Sequence, residues 1–247
     1  DPEGHGDTAF DDPLVVVDPT DPGRNVAAVC SAENVARLQH YARELLADPR
    51  VGLFEPDDPE PIDPDGVREV IADRGTTPLA IRFDAPDVVD DQLWPQLEKS
   101  RDGIAGELDR RGFDVFRSAA FAADTTGVTA DDAALLFELE VSARPRVERH
   151  LGPPVHAREH AAGFDEKYAG TDAYGPFIDG ERYVVERDRE YASARAFLES
   201  DAMFDVALGA HVESALDAGY DLLVDDEVAT LAETFGADLA GYFAPEP

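Results

Sequence analysis

The chain has 247 residues, 43% of them hydrophobic, and a formal net charge of −33, so it can bury a core beneath an intensely acidic surface. Lys99 and Lys167 are the two lysines among 21 cations. Carboxylate-rich surfaces keep a protein hydrated in molar salt, where the Debye length falls to about 3 Å, so the charge points to a halophile's cytoplasm and does not exclude short-range nucleic-acid contacts by placed arginines. The single Cys30 excludes a disulfide framework and a thiolate metal cluster, and no apolar run approaches the roughly 20 residues of a membrane-spanning helix.

The opening residues "DPEGHGDTAFDDP" read as a loop entered midway, which suggests an excerpt of a longer chain. An apolar run at 14–17 reads as a strand, followed by "VDPTDPGRNVAAVCS", whose prolines fix φ and force a turn. Arg24 and Asn25 are placed at the tip of that turn. Arg24 either locks it by pairing with Asp18 or Asp21, or presents a guanidinium fork to a ligand. Ser31 is placed as the cap of a helix with Val35, Leu38, Ala42, Leu45 and Leu46 at helical spacing, ending at Asp48-Pro49. The Pro-rich acidic segment 55–66 reads as a linker and a boundary.

A β-α-β-β order follows. "PLAIRF" (78–83) predicts a strand, and 91–111 a helix with Leu93, Leu97, Ile104 and Leu108 on one face and Pro95 in its first turn. "FDVFRSAAF" (113–121) and "ALLFELEV" (134–141) predict paired strands across a polar loop. The class is α+β, with a ferredoxin-like or RNA-recognition-like antiparallel sheet. Phe116 and Phe137 are expected in its core.

In 144–170, unlike the rest of the chain, cations outnumber carboxylates: Arg144, Arg146, Arg149, Arg158 and Lys167 stand with three histidines against Glu148, Glu159, Asp165 and Glu166. A helix there is expected to bury Ala157, Ala161, Phe164 and Tyr168, leaving Arg158 and Lys167 toward solvent. A hairpin around Asp179-Gly180 follows, then helical stretches near 191–200, 205–218 and 226–243.

"HAREH" (156–160) spells the H-x-x-E-H helix motif, in which two histidines hold zinc and a glutamate acts as base. Such a site needs a third ligand and a cleft, and "GPPV" leaves His156 in a fraying first turn. A zinc hydrolase using His156, Glu159 and His160 is therefore an alternative reading. The His/Arg cluster at a helix start also suits phosphate contact. Phosphate-cradling glycine loops are missing, as is a Gly-Ser turn followed by paired carboxylates on a strand, the arrangement that nucleotidyl transfer through two magnesium ions requires. No catalytic and no metal-binding residue is assigned.

The strings "LVVVDPTDPGRNVAAVCS", "LWPQLEKS", "GPPVHAREHAAGFDEKY" and "YGPFIDGERYVVERDREY", in that order, resemble the C-terminal half of archaeal class I CCA-adding enzymes, the tRNA nucleotidyltransferases. The resemblance implies the end of a helical neck at 1–55, a body at 56–143 and 201–247, and a small α/β tail at 144–200. It implies that the metal-binding head lies outside this sequence, so that Mg2+, CTP and ATP belong to the parent enzyme and this part alone adds no nucleotides. It places Arg24 at the base of the incoming nucleotide, where a fork of five donors suits reading C or A; a turn-locking Arg24–Asp21 pair is the other role. Arg144, Arg146, His150, Arg158 and Lys167 become candidates for backbone contacts to the tRNA acceptor stem and T arm, and a homodimer is among the assemblies the resemblance allows. A free-standing RNA-binding module is the remaining alternative.

Overall fold

A computed structural model describes residues 10–54, 59–123 and 131–245. The opening residues 1–9 and most of the loop "ADTTGVTADD" lie outside the described residues. The chain divides into two compact units, one running to Pro59 and including the last residues from Ala244, the other Glu60–Phe243.

In the first unit, strand β1 (Val17–Asp18) pairs antiparallel with β2 (Asp21–Asn25), and helix α1 (Ala32–Ala47) follows. Ser31 caps α1 as expected, accepting a bond from the Asn34 N–H. Two expectations change. Val17 alone of the apolar run is in a strand, and Arg24 belongs to β2, not to the turn tip. The cause is local: Asp18 accepts from both the N–H and hydroxyl of Thr20, closing the turn early, and the chain pairs again from Asp21. The apolar face of α1 also buries none of its residues, with Leu38 and Leu46 largely exposed.

In the second unit the chain runs through α2 (Pro64–Arg74), β3 (Thr77–Asp84), α3 (Asp90–Arg110), β4 (Val115–Ala123) and β5 (Asp132–Leu139). It continues as β6 (Val147–Pro154), α4 (Arg158–Tyr168), β7 (Tyr174–Asp179), β8 (Arg182–Asp188), α5 (Ala194–Leu198), α6 (Ala210–Ala218), β9 (Asp221–Val224) and α7 (Ala232–Phe243). The fold is α+β. Helix α2 starts inside the segment read as linker: Asp63 caps it through the Gly66 N–H, Pro64 takes the first helical position, and Gly75 at φ +65° ends it.

Strands β3, β4, β5 and β9 form an antiparallel sheet of order β4-β5-β3-β9. Along β5, Leu135, Phe137 and Leu139 face a core shared with Leu93, Leu97, Ile104 and Leu108 of α3, the four residues expected there. Ala134 and Leu136 face the opposite core, shared with α2 and α7. Both faces of the sheet thus pack against helices. Pro95 stands in the second turn of α3, not the first. Phe137 is buried as expected, but Phe116 is 52% exposed. A register shift between Val115 and Arg117 inserts Phe116 as an extra residue and turns it out of the pleat.

The remaining strands make a second antiparallel sheet, β6-β8-β7, with α4 across one face. The hairpin at Asp179-Gly180 forms as read, with Gly180 at φ +60°. Near 226–231 the chain forms a 3-10 helix before α7.

Candidate nucleic-acid interface

Residues 144–189 carry eight Lys and Arg against nine Asp and Glu, in a chain whose totals are 21 and 54. This nearly neutral island is the three-stranded sheet with α4. Helix α4 buries Ala161, Phe164 and Tyr168, as its spacing predicts, while Ala157 is only half-buried at the cap. The helix sits close because β6 offers Gly152: a Cβ there would come within 2.7 Å of the Phe164 ring. His150, two residues earlier on the same face, stacks on Phe164 with centroids 5.9 Å apart and planes 13° from parallel. Desolvation, and then the charges of Arg187 and Lys167, hold its imidazole below the ordinary value. Lys167 lies over the Tyr168 ring at 5.4 Å. A shallow groove brings together His150, His160, Glu159, Phe164 and Lys167.

The five cationic candidates therefore separate. His150 and Lys167 share the groove. Arg158 opens α4, exposed, and neither it nor Lys167 forms an ion pair with a described residue. Arg146 is 82% exposed and 3.7 Å from Asp188. Arg144 stands elsewhere: its Nε donates to the Gly112 carbonyl and its Nη2 lies 3.9 Å from Asp114, bracing the start of this module against the α3–β4 turn. The motif H-x-x-E-H is divided, because His156 precedes the first residue of α4 while His160 is within it. Among the described residues no three His, Cys, Asp or Glu side chains could share a metal ion.

Reading the sequence missed the aromatics on the far face. Leu151, Val184 and Phe177 stand side by side across the three strands, away from α4, with Tyr174 exposed nearby. No alternation in "YGPFID" signals this: Tyr174 and Phe177 are three residues apart and share a face only through the register shift between them.

In the first unit, Asn25 is the brace that makes the corner stiff. Its Oδ1 accepts from the Val16 and Ala27 N–H groups, and its Nδ2 donates to Leu14 O and to Asp12. Arg24 is left outward, 68% exposed, with Asp18 at 3.6 Å as its ion-pair partner, not Asp21.

Acidic body and nearly neutral, cation-bearing module together make an α+β protein of uneven charge. Comparison with known proteins then gives the family. Residues 74–225 match the family described as CCA-adding enzyme, C-terminal domain, and residues 1–55 match tRNA nucleotidyltransferase, second domain; the chain belongs to the CCA-adding enzyme family. It is 59% identical to the CCA-adding enzyme of Haloarcula marismortui and 60% identical to that of Halorubrum lacusprofundi, in each case over all of this chain and 55% of the relative. A more distant relative, the CCA-adding enzyme of Methanosarcina barkeri, is 34% identical over 93% of this chain and 49% of its own length. The chain thus spans about half the length of the curated relatives it matches. No helix among the described residues is long and apolar enough to cross a membrane.

Proposed function

We propose that this chain is the tRNA-gripping part of a cytoplasmic CCA-adding enzyme, with 1–55 ending the neck, 56–143 and 201–247 forming the body, and 144–200 acting as the tail on the acceptor stem and T arm. The observation that carries this reading is the pair of exposed cations on α4, Arg158 and Lys167, free of ion pairs with described residues in a chain where carboxylates outnumber cations by 54 to 21. In molar salt only short contacts survive screening, so cations without internal partners are the ones available to phosphates. Arg146 and His150 belong to the same surface, and Arg144 supports it from below.

Nucleotide transfer itself, with CTP and ATP as substrates and Mg2+ as the ion that activates the attacking hydroxyl, belongs in this reading to a part of the enzyme outside this chain. Among the described residues the carboxylates do not converge on a metal position. Arg24 faces the incoming base from a corner held by Asn25, and Asp18 at 3.6 Å parks it when no base is present. In an enzyme of full family length, Arg24→Lys should loosen the choice between CTP and ATP with tRNA affinity unchanged; preserved selection would remove Arg24 from this role. A homodimer is part of the same reading, and sedimentation in KCl tests it.

The experiment that tests the reading is binding of the chain to a labelled acceptor–T-arm minihelix in molar KCl, against an RNA duplex of equal length lacking the T loop. Preference for the minihelix is the expected result. Equal binding, or none, would overturn the assignment.

A further inference from the structure

A second cluster of arginines lies at the other end of the tail sheet, where α3 ends. Arg110 and Arg111 close that helix, and Arg187 and Arg189 stand at the end of β8 and just beyond it; together with Glu148, Asp188, Glu190 and Tyr191 they line an open groove of about 410 Å³. Four guanidiniums face three carboxylates there, the reverse of the chain's overall ratio of 21 to 54. The arginines are held by sharing. Glu148 pairs with both Arg187 and Arg189, at 2.9 and 3.4 Å, and Glu107 pairs with both Arg110 and Arg111. Arg189 also donates through Nε to Pro145 O, and the Arg111 guanidinium is fixed in plane by the rings of Tyr191 and Phe197 at 4.6 and 4.7 Å. A guanidinium offers five donors, so each shared carboxylate orients two forks and leaves N–H groups unused.

One other carboxylate competes for those donors: Glu190 takes Arg111 at 3.0 Å, whereas Asp188 pairs outside the four, 3.7 Å from Arg146, and both carboxylates are mostly exposed. Exposed pairs of this kind contribute little and yield readily to a better anion. The groove has room for roughly a dozen waters, and therefore for a phosphate group with its hydration. The arrangement matches how forks take phosphate oxygens in pairs.

We propose that this groove is a phosphate-binding site for the RNA backbone, built from Arg110, Arg111, Arg187 and Arg189 and distinct from the α4 surface that carries Arg158 and Lys167. It rests on the RNA-binding reading above and extends the contact from the tail onto the end of the body helix α3. The sequence hides it, because Arg110-Arg111 and Arg187-Asp188-Arg189 are far apart in the chain.

The test is equilibrium binding of tRNA to the full chain across a series of KCl concentrations. The double variant Arg110→Ala, Arg187→Gln should make the slope of log K against log[KCl] less steep by roughly 0.7–0.9 for each phosphate contact removed, while Arg68→Ala on α2 leaves it unchanged. Glu190→Gln should act in the opposite direction, tightening binding by releasing Arg111. That variant changes one exposed side chain, so it decides the matter if the double variant fails to fold. Unchanged slopes in the double variant, or unchanged or weaker binding by Glu190→Gln, would overturn the groove while leaving the RNA reading in place. No tRNA binding by the parent chain overturns both. Free ATP or CTP is the other source of phosphate: nucleotide binding without RNA that is lost in the double variant would reassign the groove and also overturn the proposal.

Discussion

Two sheets in one chain show how differently the same acidic composition can be used. The four-stranded sheet is covered on both faces, by α3 on one side and by α2 and α7 on the other, and most of its inward side chains are completely buried. The three-stranded sheet is covered on one face by a single helix whose core is Phe164, Tyr168 and Val185, while Leu151 and Tyr174 face solvent at 61% and 68% exposure. Each sheet also has a carboxylate placed between two arginines. Glu138, 1% exposed, is closed in: Arg74 forks onto it, the Thr76 and Tyr242 hydroxyls donate to it, and Arg117 lies at 4.0 Å. Glu148 is open to the groove it organises. Glu138 is enclosed by its partners, whereas Glu148 holds Arg187 and Arg189 nearer the surface.

The largest effect that bears on this contrast is in the cores. Phe137→Ala should cost about 3–5 kcal/mol, the usual range for an emptied aromatic site, whereas Phe177→Ala on the open face of the tail should cost no more than about 1 kcal/mol. Chemical denaturation at fixed KCl measures both. A Phe177 cost equal to that of Phe137 would mean that the tail face is structural and the contrast false.

Glu138→Ala comes next, at about 3 kcal/mol, because it leaves the half-buried Arg74 beside Arg117 with no countercharge. Its pH dependence is diagnostic. Burial pushes the Glu138 carboxyl up, but the hydrogen bonds from Arg74 and Thr76, the Arg74 charge and the Tyr242 hydroxyl outweigh it and hold the group below the ordinary glutamate value. A depressed carboxylate contributes stability that is fully present above its unfolded value and is lost as pH falls through the folded one. Glu138→Gln should therefore lose stability at neutral pH and flatten the acid limb of the stability curve.

The two regions also differ in how much of them could be read in advance. The four-stranded body was legible where its elements are long: β3, α3, β4 and β5 follow from period-2 and helical spacing, and Leu93, Leu97, Ile104 and Leu108 point inward as their spacing requires. Strand β9 was not legible, because four residues between two helices carry too little pattern to separate from helix. In the tail, β6 was obscured by Arg149, His150 and a double proline; proline within a sheet is confined largely to edge strands, and β6 is one. Arg144, Arg146, Arg149, Arg158 and Lys167 stood out in the sequence as a local reversal of charge. The grouping of Arg110 and Arg111 with Arg187 and Arg189 did not, since it depends on a helix end and a strand separated by more than seventy residues. The role of Asn25 was equally hidden: four hydrogen bonds to residues before and after it exist only once the chain has turned.

The smallest effect tests the thin core under α4. His150 has a stacked ring and a neutral form favoured by desolvation and by Arg187 and Lys167, with Glu148 opposing them. Because its folded value is lowered, the unfolded chain takes up the proton first as pH falls past about 6.5, and stability declines from there until the folded imidazole also titrates. His150→Phe keeps the ring against Phe164 and removes the proton site. Stability at pH 8 should then be nearly unchanged, and the decline between pH 7 and 5 should become shallower, as read by thermal unfolding at constant KCl. If the decline is as steep as before, His150 does not titrate against this core, and its place in the groove is that of a contact residue alone.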